Sequence, residues 1–225
     1  NQLKVLLLMK VDASQADVVV VASQFNPSII TQHWLIKNNF FSEEEFSPDC
    51  VFSPLVADIR TDQFNILVMP ERLQFTPKVK NTETQCNLIV SKLGRIIEKL
   101  PHTPFTALGF NFLWLIDTEA DSQTKVSRKL FFKKESNLYK KFDTDNATFG
   151  SYMSKDILGC RLKLDIKPVR VLMKDNKKFL QCAFNFHLDL PDEEKHSIIL
   201  GFLPNWTKAK EISEDIVKCL MQETL

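Results

Sequence analysis

Three groupings of side chains in this chain have the types that chemistry requires. Cys182 and His187 are the nearest thiol–imidazole pair in the sequence, the combination that activates a cysteine nucleophile. They are separated by five positions in a segment that reads as a strand, and an odd separation points two strand side chains to opposite faces. A dyad within that strand is therefore excluded. Asp189, Asp192, Glu193, Glu194 and His196 bring together carboxylates and an imidazole, competent ligands for a metal. Their spacing meets no recognised ligand pattern and suits a polar loop between two elements, so no metal site is assigned. Asp165-Ile166-Lys167 is the acidic-x-Lys triplet of metal-dependent nucleases, where the carboxylate holds Mg²⁺ and the lysine orients the attacking water. No acidic partner strand stands shortly upstream, so a metal-dependent hydrolase ranks third among the readings. Phosphate loops, dinucleotide fingerprints and serine elbows are absent from the sequence. Neither a catalytic residue nor a cofactor is expected.

A stronger signal is the segregation of charge. Residues 125–178 hold fifteen Lys/Arg against six Asp/Glu, a balance of +9, while the rest of the chain carries −8. Such a field steers association and speaks to partners rather than to fold. Alternation over a strand at 160–167 puts Leu162, Leu164 and Ile166 on one face and Arg161, Lys163, Asp165 and Lys167 on the other. A second strand at 169–174 is expected to add Arg170 and Lys174 to the polar face, and a helix over 128–142 to add Arg128, Lys129, Lys133 and Lys134. The expectation is a single basic surface on which a protein partner docks. Nucleic acid is the alternative occupant, because phosphate-backbone binding needs several cations on one surface. None of the outward positions in these two strands is Phe, Tyr or Trp, so bases would lack a stacking platform. That ranks the protein partner first, with Phe131, Phe132 or Tyr139 as its apolar anchor.

The scaffold holding these residues is read from pattern. A chain of 225 residues suffices for one large domain or two packed halves. Eighteen Phe and only five Gly point to aromatic layers in the core rather than backbone cradles for phosphate. Segments 3–10 and 17–22 read as strands, and Asn26-Pro27 opens a helix reaching about residue 40. Segments 51–60, 64–69 and 72–77 form a meander. A helix over 84–100 follows, with Thr82-x-x-Gln85 as a capping box and Cys86, Ile89, Val90, Leu93, Ile96, Ile97 and Leu100 on one face. The strand at 105–116 is apolar on both faces and so should be central. A second strand group, 160–167, 169–174, 179–190 and 197–203, leads to a helix from Thr207. The fold class is α+β: two mixed modules of antiparallel sheet backed by helices, 1–120 and 121–225, in one compact unit. Phe110-Asn111-Phe112 and Phe184-Asn185-Phe186 echo one another, which leaves a degenerate duplication and chance as open alternatives.

The five cysteines, Cys50, Cys86, Cys160, Cys182 and Cys219, include no CxxC pair, which suits a reducing cytoplasm. The longest apolar runs are too short to span a bilayer, so a cytoplasmic location and no membrane partner are expected. One stretch has a familiar form. Segments 64–69 and 72–77, the 84–100 helix and then Pro-His-Thr-Pro-Phe-Thr-Ala-Leu-Gly-Phe-Asn-Phe over 101–112 resemble a sporadically distributed group of uncharacterised small bacterial α+β proteins. Members of that group are often encoded in mobile or defence-associated loci. The resemblance implies an accessory or interaction protein of a bacterial antiviral defence system, and carries over no functional residue.

Overall fold

The structure, a computed structural model, describes residues 11–117, 123–172 and 177–224. Among these residues nine strands form one sheet in the order β2-β3-β4-β5-β1-β6-β9-β8-β7. They are β1 (Val11–Ala22), β2 (Val51–Phe52), β3 (Ala57–Arg60), β4 (Phe64–Met69), β5 (Arg72–Pro77), β6 (Phe105–Asp117), β7 (Ser151–Ile157), β8 (Cys160–Val171) and β9 (Lys177–Asp189). Every pairing is antiparallel. The helices are α1 (Gln32–Lys37), α2 over 82–98, α3 (Gln123–Phe131), α4 (Asn137–Lys140), α5 (Lys195–Phe202) and α6 (Trp206–Thr224). The chain is thus α+β, one large antiparallel sheet backed by helices.

Alternation decides which face the helices cover. Val18 and Val20 of β1, Ile66 and Val68 of β4, Leu73 and Phe75 of β5, and Phe110 and Phe112 of β6 are all buried, as are Phe184 and Phe186 of β9. Their cross-strand partners share that face, so a Phe-rich apolar layer runs from β4 to β8, with Val in β1 and Leu162, Leu164 and Ile166 in β8. Each such side chain removed from water contributes about 1.5–3 kcal/mol. The ring of Phe110 stacks on Phe202 of α5 at 4.9 Å and meets Trp206 of α6 edge-on at 5.5 Å. Trp114 donates from Nε1 to Ser213 Oγ of α6 at 3.1 Å. The intervening residues, among them Asn65, Gln74, Asn111, Asn185 and Lys163, are half-buried on the other face. Among the described residues no helix packs over it.

Several expectations change. The 84–100 helix begins at Thr82, capped by Asn81, whose side chain accepts from Thr84 N. Gln85, expected in a capping box, instead accepts from Trp206 Nε1 at 3.2 Å and from Lys210 Nζ at 3.1 Å. The helix passes through a π-helical segment, Ile89–Gly94, and Val90 is 40 % exposed. The expected helix from Asn26 is two pieces, a 3-10 turn Pro27–Ile29 under the Asn26 cap and α1 under a Thr31 cap. The 51–60 strand is a hairpin of β2 and β3, broken around Pro54. The helix expected over 128–142 is split into α3 and α4.

Residues 197–203, expected as a strand, lie in α5 and the 3-10 turn Leu203–Asn205. Ile199 and Phe202 are buried at helical spacing, and a short apolar run has no period that separates strand from helix. The two strands expected at 160–167 and 169–174 are one strand, β8, that continues through Pro168. Pro168 is tolerated because β7 pairs only as far as Ile166, so the missing N–H faces no ladder. β7 itself was not expected. The strand expected at 3–10 and the residue Lys174 lie outside the described residues.

Candidate docking face

On the uncovered face one row of polar side chains crosses five strands. The registers pair Asp17 of β1 with Asn111 of β6, Asn111 with Asn185 of β9, Asn185 with Lys163 of β8, and Lys163 with Ser154 of β7. Asp17 is fully buried at its end of the row. Its carboxylate accepts from Asn111 Nδ2 at 2.8 Å, from Gln74 Nε2 at 3.2 Å and from Gln15 Nε2. A carboxylate only accepts, so it fixes the Asn111 amide with nitrogen inward. Asn111 Oδ1 then accepts from Asn185 Nδ2 at 2.8 Å. The relay leaves the Asn185 carbonyl oxygen as the group available to a ligand, beside Lys163.

The two Phe-Asn-Phe segments explain how the sequence builds this row. They pair with each other, Phe110 against Phe186, Asn111 against Asn185 and Phe112 against Phe184. Alternation sends the four Phe into the helix-covered layer and both Asn to the uncovered face. A shallow depression over β6, β9 and β8 is lined by Asn111, Asn185, Lys163, Asp165 and Tyr152. Tyr152 is 63 % exposed. It supplies the outward aromatic side chain that the strands at 160–174 lack, from a strand the sequence did not reveal.

The eight basic residues that lie among the described ones do not form one surface. Arg161, Lys163 and Lys167 share the uncovered face, as alternation requires. Arg161 is paired with Asp156 at 3.0 Å and donates to Ser154 Oγ at 2.8 Å, and Lys167 holds Asp165 at 2.5 Å. Lys163 lies between them and makes no hydrogen bond or ion pair among the described residues. Arg170 belongs to the same unbroken strand register at the opposite parity, so it points to the other face. That corrects the expectation that placed it beside Arg161.

Arg128, Lys129, Lys133 and Lys134 are on α3 or the turn after it, in the helical layer, where α3 packs against α6. Arg128 is a structural residue there. It pairs with Asp143, donates to Thr144 O at 2.5 Å, and lies over the rings of Phe132 and Phe149 at 5.0 and 5.2 Å. Phe132 and Tyr139, expected anchors, pack into this cluster: Tyr139 stacks on Phe149 at 5.7 Å and Phe132 meets Phe149 at 5.1 Å.

The other chemical groupings are also separated. Cys182 is buried in the Phe layer, where burial pushes its thiol up to about 12, and His187 on the uncovered face bonds Asp189 at 2.9 Å. His196 instead bonds the Leu100 carbonyl at 3.0 Å and packs edge-on against Phe105. Among the described residues, no three His, Cys, Asp or Glu side chains converge as metal ligands do. No helix among them is long and apolar enough to cross a membrane. Compared with known proteins, the chain matches no family model and no curated relative.

Proposed function

We propose that this chain is a non-catalytic interaction subunit that receives a protein partner on the uncovered face of its sheet. The observation carrying this reading is the row from Asp17 to Ser154, a line of polar side chains whose amides are oriented in advance and which ends beside an unpaired lysine and an exposed tyrosine. Preorganised donors and acceptors reduce the ordering cost of association, and tyrosine is enriched among the side chains that anchor interfaces. Lys163 would take an acidic group of the partner, the Asn185 carbonyl oxygen a backbone N–H, and Tyr152 an apolar contact. The division into two sheet-and-helix modules, joined where the Phe-Asn-Phe strands pair, belongs to the same reading. So does the accessory role in bacterial defence implied by the resemblance.

The alternative, nucleic acid on the same face, needs several free cations along a track. Here the carboxylates of Asp156 and Asp165 neutralise the cations flanking Lys163. Anisotropy titration with labelled single- and double-stranded RNA and DNA should therefore give weak binding and a shallow salt slope. A steep log-linear slope, lost in Lys163→Glu, would move nucleic acid to first place. For the protein reading, a photo-crosslinking residue at position 152 should capture a discrete species other than a second copy of this chain, which Lys163→Glu abolishes, while the same probe at Lys134 captures none. Equal capture from both positions would overturn it.

A further inference from the structure

The sheet's two edges are built differently. At one end β2 is two residues long, and Ser53 closes it by bonding Val56 through backbone and hydroxyl. At the other end β7 runs seven residues in unbroken register with β8. It contains neither proline nor bulge, and its outer side is unpaired among the described residues. Natural edges are usually shortened, bent or covered, because a free row of N–H and C=O groups templates another strand. Leu158 and Gly159, both at positive φ, form the two-residue turn into β8. In such a hairpin the closing pair, here Ile157 and Cys160, exchanges hydrogen bonds. Tyr152, Ser154 and Asp156 therefore direct their backbone groups outward.

The side chains select the occupant. We propose that β7 pairs antiparallel with β7 of a second copy of this chain, about a twofold axis through Ser154. In that register Tyr152 lies opposite the partner's Asp156, Met153 opposite the partner's Lys155, and Ser151 opposite the partner's Ile157. No like charges are directly opposed, and cross-strand pairs are where such charges cost stability. A register slip by one residue would exchange the faces, so the available alternatives shift the register by two, which moves the axis by one residue. An axis at Lys155 sets two ammonium groups against each other. An axis at Met153 leaves Asp156 outside the paired segment and Tyr152 facing serine.

Ser154 is small enough to meet its own copy, and its hydroxyl is already held by Arg161 at 2.8 Å. On the helix-covered side, Met153 and the Lys155 stem lie beside Leu162, Leu164 and Ile216 in a shallow apolar groove. Pairing joins two such grooves and covers Met153, which is 47 % exposed in the single chain. The twofold closes the assembly, because among the described residues each copy retains only the short β2 edge. It also makes the uncovered faces of the two copies continuous.

Sedimentation equilibrium of the full chain should give twice the 26.0 kDa monomer mass at micromolar concentration. Ser154→Lys puts like charges on the axis and should return the mass to that of the monomer, with an unchanged circular dichroism spectrum. Ser154→Cys, in a Cys219→Ser background, should form a disulfide-linked dimer under mild oxidation. A native chain that stays monomeric at hundred-micromolar concentration overturns the proposal. So does a dimer that survives Ser154→Lys and gives no Ser154→Cys crosslink, since that dimer uses another surface.

Discussion

Lys210 on α6 is buried with its Nζ 3.1 Å from Thr82 Oγ1 and 3.1 Å from Gln85 Oε1, two neutral partners. Burial pushes its pKa below the ordinary lysine value of 10.5, and Glu214 offsets only part of that. Between the lowered folded value and the ordinary unfolded one, the unfolded chain binds more protons. Stability therefore rises with pH across that window. The urea midpoint of the native chain should rise from about pH 8 to about pH 10 more than that of Lys210→Met. Equal slopes would mean the ammonium is as well accommodated in the fold as in water. Asp17 is a buried carboxylate held by three side-chain amides. Asp17→Ala should cost about 2–3 kcal/mol in urea unfolding, and it should release the Asn111–Asn185 orientation. A loss in partner capture at position 152 beyond that expected from unfolding would show the relay acting on the docking face.

β7 shows at the element scale what the sequence hides. Its residues, Ser-Tyr-Met-Ser-Lys-Asp-Ile, alternate weakly because an edge strand buries little on either side, so no period marks it. Its place is set by two glycines. Gly159 has φ +73, and a Cβ there would touch nothing. Gly159→Ala should thus cost only backbone strain, about 1 kcal/mol. A Cβ on Gly150 would lie 2.4 Å from the backbone oxygen of Ile166, which forces the strand away from β8. Gly150→Ala should cost more, on the order of 2–3 kcal/mol, read from urea midpoints of the two variants. If the ranking reverses, the β7–β8 register is not what holds this edge.

The long strands were legible where one face is fully buried: β4, β5, β6 and β9 carry clean alternation or an apolar run. The Asn row was not legible as a site, because Asn111 and Asn185 are distant in sequence and only the β6–β9 register brings them together. Arg170 was misplaced for a similar reason. Pro168 reads as a break, yet β8 keeps its parity through it. The charge excess of 125–178 is plain in the sequence, but the fold divides it between two places: Arg161, Lys163 and Lys167 lie on the uncovered face, and Arg128, Lys129, Lys133 and Lys134 in the helical layer.

For the whole molecule, the question is whether the boundary near residue 120 divides two stability units. The contacts argue for one. β6, from the first half, pairs with β9 along its length from Ala107 to Asp117, and its buried face is covered by α5 and α6 from the second half. α6 also grips α2 through Trp206 and Lys210, both bonded to Gln85. Separating the halves would expose Phe110, Phe112 and Trp206 together and strand the Gln85 amide. Native-state hydrogen exchange should therefore find the slowest amides of β4–β5 and of β8–β9 opening with the same free energy and the same denaturant dependence. A lower-energy opening confined to β7, β8 and β9 would instead mark a separable module. The extensive β6–β9 ladder would then be a docking surface inside one chain rather than the middle of a single cooperative sheet.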